Sequence, residues 1–347
     1  MNPVAAPLLI TAGDPAGIGC EIVLQACMRQ PEWAQASVIL GHVPSLRRAL
    51  GVLGEQAAIE FMAVDLNRPL PAAVPGQLRV HPIATDVPLS EVPLGHISAA
   101  GGHIAAESVR LAAQTCLTRR ACAMVTAPIH KQALELAGVP FPGHTELLQH
   151  AAAAHLHLDP ADLPVRMMLA NPSLRTVLVS IHVSLKDAIA AVTPDNLLTT
   201  LRITHQFESR SLGRAPRIAV AGLNPHAGEG GLMGREELDV IIPTLQQARA
   251  EGLDVSGPHA PDTVFMRARQ TGHTTPEFDV VVAMYHDQGL IPIKYLGLDD
   301  GVNVTLGLPL LRTSPDHGTA FDLAGTGRAS PSSLLAAWAM ARQLAQA

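Results

Sequence analysis

The feature that most constrains this chain is an alternation of short apolar runs with longer helical patterns. Leu8 to Thr11, Ser37 to Leu40, Ala123 to Thr126, Arg166 to Leu169, Thr176 to Ile181, Arg217 to Ala221, Asp279 to Ala283 and Val302 to Thr305 each read as a strand. Glu21 to Gln30, Gly102 to Thr118, Thr145 to His155, Pro194 to Phe207, Gly234 to Arg249 and Ser330 to Gln346 read as helices. Strands alternating with helices of ~10–15 residues build βαβ units, so the expected fold class is α/β. With aromatics at only 3%, the core must be mostly Ala, Val, Leu and Ile, which suits a parallel sheet with helices on both faces. Pro243 should kink or divide its helix, and Ser330 followed by Pro331 is a helix start signal. A length of 347 residues suits two domains or one two-lobed unit.

Charge and composition exclude several classes of function. The net charge is −6, with no basic stripe and few aromatics for stacking on bases, so no nucleic-acid partner is expected. Four cysteines without a CxxC pair read as thiols in a reducing compartment. The first basic residue is Arg29 and no apolar run reaches ~18 residues. The expectation is a cytoplasmic protein without a signal peptide or membrane span.

Five stretches bear chemistry. Gly13-Asp14-Pro15-Ala16-Gly17-Ile18-Gly19 follows a strand and opens a helix, a context in which backbone N–H groups meet an anion or a dinucleotide, although the spacing is not GxGxxG and a plain tight turn reads equally well. In Pro142-Gly143-His144-Thr145-Glu146, Thr145 is placed to cap a helix with His144 at its start. His182, His226 and His286 each lie just beyond a strand, where open α/β sheets bind ligands. Three imidazoles there would suit one divalent cation with a position left open. Lys294, Asn303 and Arg312 supply an ammonium, an amide and a guanidinium, the donors a phosphate needs. Finally, Ser314 to Gly327 is rich in small and turn-forming residues and is able to wrap a nucleotide through backbone groups and His317. No GxSxG elbow and no P-loop competes.

The blocks Gly13–Glu21, Gly143–Glu146, Gly222–Gly231, Met284–Gly289 and Asn303–Gly318 together resemble the 4-hydroxythreonine-4-phosphate dehydrogenase family, in order and over nearly the whole chain. Cys20 stands where that family often has proline. The resemblance implies an isocitrate/isopropylmalate dehydrogenase-like fold of α/β/α layers in two subdomains with a cleft. The expected division is residues 1–128 plus 300–347 on the nucleotide side, with 129–299 for metal, substrate and dimerisation. It also implies His182, His226 and His286 as metal ligands, and His144, Thr145, Lys294, Asn303 and Arg312 as substrate-binding residues. Asp262 and Asp287 would support the site, with Lys294 and Asp287 catalytic, and Asp14, Gly17, His317, Gly318 and Thr319 would meet the cofactor.

The implied cofactors are NAD or NADP and one divalent metal per site, Zn²⁺ or else Mg²⁺ or Co²⁺. The implied assembly is a homodimer whose active site draws on both chains. The implied reaction is oxidation of 4-phosphohydroxy-L-threonine at C3, followed by decarboxylation to 3-amino-2-oxopropyl phosphate, in vitamin B6 synthesis. Two alternatives stand beside it. One is a dehydrogenase of 4-phosphoerythronate, phosphothreonate or a cyclic diol carboxylate. The other is a non-catalytic phosphate- or nucleotide-binding protein on the same scaffold.

Overall fold

The computed structural model describes residues 6–54, 59–272, 275–297 and 299–346. The first part of the chain runs β1 (Leu8–Thr11), α1 (Gly19–Arg29), α2 (Pro31–Gln35), β2 (Ser37–Gly41), α3 (Val43–Leu53), β3 (Glu60–Ala63), β4 (Gln77–Pro82), α4 (Ala99–Leu117), β5 (Ala123–Thr126), α5 (Lys131–Leu136) and α6 (His144–Leu156). It continues through β6 (Arg166–Ala170), β7 (Arg175–Leu178), α7 (Leu185–Ala190), α8 (Pro194–Leu212), β8 (Ile218–Ala221), α9 (Ile242–Ala250), β9 (Val255–His259), α10 (Val264–Ala268), β10 (Val280–Ala283), α11 (His286–Leu296), β11 (Val302–Leu306), β12 (Arg312–Pro315) and α12 (Ser332–Leu344). The expected α/β class holds. Among the described residues, no helix is long and apolar enough to cross a membrane.

The chain divides into two compact units, residues 1–163 with 308–346, and residues 164–307. The sequence reading put the divisions at 128/129 and 299/300. The segment 129–163 falls in the first unit because α5 and α6 pack against α4. Residues 300–307 fall in the second because β11 pairs with β6.

In the first unit every pairing is parallel, in the order β3-β4-β2-β1-β5-β12. Strands β1, β2 and β5 are fully buried, as expected where helices cover both faces. Register sets which side chains share a face: Leu9 lies opposite Met124, Thr11 opposite Thr126, and Arg312 opposite Met124. Leu9 and Met124 enter one apolar core with Ile104, Val109, Leu134 and Leu147 from α4, α5 and α6. On the other side, Thr313 donates to the Ala337 carbonyl of α12 at 2.8 Å. The chain proceeds outward from β1 through β2 in one direction and later returns through β5 in the other. The C-terminal ends of β1 and β5 therefore form a topological switch point.

The second unit is mixed, in the order β11-β6-β7-β10-β8-β9. β6 is antiparallel to both neighbours, whereas β7, β10, β8 and β9 are mutually parallel. Their C-terminal ends thus lie at one edge. Pro243 does divide its helix: a π-helical turn, Glu237–Ile241, precedes α9.

Candidate functional site

In the second unit, His182 follows β7, His226 follows β8 and His286 opens α11 directly after β10, all at the same strand ends. The rings of His182 and His286 lie 5.6 Å apart between centroids. Both line a cavity of about 300 Å³ with Asp287, Ser180, Val183 and Tyr285. His286 Nδ1 lies 2.7 Å from Asp287 Oδ1. A carboxylate only accepts, so Nδ1 donates and the Nε2 lone pair is left for a ligand. The contact fixes the orientation of the His286 ring. His226 is exposed and does not line that cavity. Among the described residues, no group of three His, Cys, Asp or Glu side chains gathers to hold a metal ion. The structure therefore brings together two of the three expected imidazoles within one chain. Their chemistry fits a divalent first-row cation, and the set is one ligand short.

The turn bearing His226 is left-handed. His226, Ala227 and Glu229 have φ of 51°, 53° and 45° among glycines at positions 228, 230 and 231. Each non-glycine residue in that region costs ~1–2 kcal/mol, so the surrounding contacts must hold the turn.

Side chains that the sequence reading passed over lash these loops together. Ser180 Oγ donates to the Met284 carbonyl at 3.0 Å, joining the His182 and His286 segments. Buried Gln288 accepts from Met284 N and donates to the Gly222 carbonyl, both at 2.7 Å, joining the His286 and His226 segments. A polar Gln between the apolar strand end and Gly289 was the available signal. Lys294 lies half-buried late on α11, Asn303 lies half-buried on β11, and Asp262 is exposed in the turn after β9.

The first unit holds a second polar group, at its switch point. Arg312 is 4% exposed, and its Nε and Nη2 donate to Thr126 Oγ1 at 3.0 and 2.8 Å. Shared facing across β5 and β12 makes this contact possible, and nothing in the local sequence around Thr126 announced it. Burial pulls the guanidinium down to about 9, so it stays charged at neutral pH. His144 begins α6, with Nε2 buried and without a hydrogen-bond partner among the described residues. Burial first, and then the charge of Arg312, hold its imidazole well below the usual range and hence neutral. Gly143 occupies the N-cap of α6 and no side chain caps it; Thr145 sits inside the first turn rather than at the cap.

The two expected cofactor segments also meet. A Cβ on Gly17 would lie 2.7 Å from the Thr319 carbonyl, which itself accepts from Ile18 N at 3.0 Å. Gly325 N and Gly327 N donate to the buried Glu21 carboxylate at 2.6 and 2.8 Å. The turn spends its amides internally, however. Ala16 N donates to Asp14 Oδ1, Gly17 N to the Asp14 carbonyl and Ile18 N to Thr319. Gly13 to Gly19 is buried throughout, which leaves no open cradle of N–H groups of the kind the sequence suggested. Asp14 Oδ2 has no hydrogen-bond partner among the described residues, and burial raises this carboxyl against the opposing pull of Ala16 N and His130. His317 and Gly318 are exposed, and Thr319 is buried.

Comparison with known proteins follows this geometry. A protein from Beijerinckia indica named 4-hydroxythreonine-4-phosphate dehydrogenase is 46% identical, covering 97% of this chain and 95% of its own length. One from Bradyrhizobium diazoefficiens, provisionally named D-threonate 4-phosphate dehydrogenase, is 41% identical over 97% and 96% of the two chains. The crystal structure of 4-hydroxythreonine-4-phosphate dehydrogenase from Klebsiella pneumoniae superposes with a TM-score of 0.85 at 36% identity, covering 98% of this chain and 100% of that one. A terephthalate 1,2-cis-dihydrodiol dehydrogenase from Burkholderia xenovorans gives 0.63 at 28%, covering 95% of each chain.

Fold, strand-end polar groups and full-length relatives place the chain among the α/β oxidoreductases. More narrowly, it belongs to the family of the pyridoxal phosphate biosynthetic protein PdxA, whose pattern matches residues 32–341.

Proposed function

We propose that the chain oxidises 4-phosphohydroxy-L-threonine at C3 with NAD or NADP, giving 2-amino-3-oxo-4-phosphooxybutanoate, which loses CO₂ to leave 3-amino-2-oxopropyl phosphate. The observation that carries this reading is the His182–His286 pair on one cavity, with Asp287 fixing one ring. His182 and His286 would hold a divalent cation, Zn²⁺, Mg²⁺ or Co²⁺, with His226 supplied by a second copy of the chain. A bound cation would supply Lewis acidity at the C3 hydroxyl, and a bound dinucleotide would supply the hydride acceptor.

Arg312, Lys294 and Asn303 bind the substrate's anionic groups, with His144 and Thr145 at the start of α6. Arg312 brings a full charge where water is excluded, and neutral His144 adds a hydrogen bond without adding charge. Asp262 and Asp287 support the loops. Asp14, Gly17, His317, Gly318 and Thr319 form the cofactor side.

In this reading the enzyme is a cytoplasmic homodimer. Leu232 (84% exposed), Met233, Leu238 and Met266 give the second unit apolar surface for a second copy to cover.

The test is NADH or NADPH formation from 4-phosphohydroxy-L-threonine by metal-loaded enzyme, beside a His226→Ala control. Activity that the control lacks supports the proposal. Full activity in metal-free enzyme, or none in folded, metal-loaded dimer, overturns it. The relative named for D-threonate 4-phosphate favours that substrate as the second reading, and the same assay run on it decides between them.

A further inference from the structure

The loop that carries His226 is built around a buried carboxylate. Glu237 is 1% exposed and opens the π-helical turn before α9. Its Oε1 accepts the backbone N–H groups of Leu223 and Asn224, both at 2.8 Å. Its Oε2 accepts Asn224 Nδ2 at 2.9 Å, and the same amide donates to Glu236 Oε2 at 2.7 Å. Asn224 is thus held by backbone and side chain at the residue where the left-handed turn begins.

Glycines leave the room this arrangement needs. A Cβ on Gly228 would lie 2.7 Å from Glu237 Oε2, and one on Gly234 would lie 2.4 Å from Asn224 Nδ2. A Cβ on Gly222 would lie 2.8 Å from Ala227 Cα and 3.2 Å from Glu237 Oε1. The glycines of Gly222–Gly234 therefore pack the turn on to Glu237 as well as permitting its positive φ. Glu237 itself does not line the His182–His286 cavity.

We infer that Glu237 is a positioning residue for His226: its carboxylate anchors the Leu223–Asn224 backbone from which the left-handed turn presents the imidazole. The inference rests on His226 being a metal ligand, as proposed above. A left-handed turn of non-glycine residues relaxes toward the right-handed or extended region once its anchor is lost. Such a change turns the imidazole away from any fixed coordination point, and partners of ligand residues commonly tune metal affinity in this way.

Two measurements on the full chain test it. Glu237→Gln keeps the volume but places an NH₂ group where at least one of the three hydrogen bonds to the carboxylate needs an acceptor. Gly228→Ala pushes a methyl group on to Oε2 from the other side, and serves if the first variant folds poorly. Both are expected to speed amide hydrogen exchange of residues 223–231 by about tenfold or more, relative to the wild type. Both are expected to weaken Co²⁺ binding to the metal-free protein, read by calorimetry, by about 10–100-fold. Glu237→Ala should weaken it further, with Glu237→Gln as the partial rescue.

Wild-type exchange and wild-type Co²⁺ affinity in Glu237→Gln would overturn the inference. A His226→Ala variant that binds Co²⁺ like the wild type would overturn the metal reading instead. In that case unchanged exchange at 223–231 in the Glu237 variants still refutes the anchor, and accelerated exchange still supports it.

Discussion

Replacing Arg312 with methionine should change the stability of the ligand-free protein little while removing its hold on an anion. The guanidinium is 4% exposed, and burial lowers it from its usual range to about 9. At ~1.4 kcal/mol for each tenfold change in proton affinity, the folded state bears a cost of ~5 kcal/mol for keeping this charge out of water. Against that stand its hydrogen bonds, among them the two to Thr126 Oγ1, at ~1.5–3 kcal/mol each for a charged donor. A methionine of similar length fills most of the space at a repacking cost of ~1 kcal/mol. The net expectation for Arg312→Met is a change of no more than ~2 kcal/mol without ligand, so the buried charge is kept for function rather than for stability.

The pH dependence has a definite sign. The unfolded chain holds the Arg312 proton more tightly than the folded one, so wild-type stability rises with pH above about 9 relative to the variant. The assay is chemical denaturation of both proteins without and with inorganic phosphate. Phosphate should stabilise the wild type and leave the variant unmoved. A loss of more than ~2 kcal/mol in the ligand-free variant would refute the reasoning, since it would mean the charge is already compensated inside the free protein.

Three further outcomes follow from other contacts. Gln288→Leu strands Met284 N and the Gly222 carbonyl, so denaturant unfolding should show a loss of ~2–4 kcal/mol; a loss below ~1 kcal/mol would mean the bridge is dispensable. Asp279 is drawn below its usual range because hydrogen bonds from Arg214 and Arg217 outweigh its burial. Asp279→Asn should therefore cost ~1 kcal/mol at neutral pH, given the partial exposure of both arginines, and the difference should fade as acid protonates the wild-type carboxylate. An undiminished difference at pH ~3 would contradict this sign. Gly17→Ala drives a methyl group into the Thr319 carbonyl, so KM for the dinucleotide should rise more than kcat falls; unchanged KM in steady-state assays would separate this contact from cofactor binding.

Much of the scaffold was legible because its signals are local. Apolar runs separated by helical periods identified β1, β2, β5, β6, β8 and β10 to within a residue or two. Strands β3, β4, β9 and β12 were not read. β3 is half-exposed, β9 is interrupted by glycine and proline, and β12, Arg-Thr-Ser-Pro, has no apolar residue at all. Arg312 was singled out by its residue type, but its burial on β12 is a consequence of neighbours far away in the chain. Asp287 beside His286 was legible for the opposite reason, since sequence neighbours at a helix start are close in any fold.

The sequence alone therefore determined the α/β class, the family, and the strand-end placement of His182, His226 and His286, since periodicity and long motif blocks are properties of the chain itself. Only tertiary structure decided where the units divide, that His182 and His286 meet while His226 stands apart, and that the Gly13–Gly19 turn spends its amides on Asp14 and Thr319. It also decided the roles of Thr126, Ser180, Gln288 and Glu237. Register and crossover connections set these contacts by joining residues far apart in the chain, 186 positions in the bond from Arg312 to Thr126 and 306 in that from Gly327 to Glu21. No local pattern encodes which distant polar atom will complete a buried hydrogen bond.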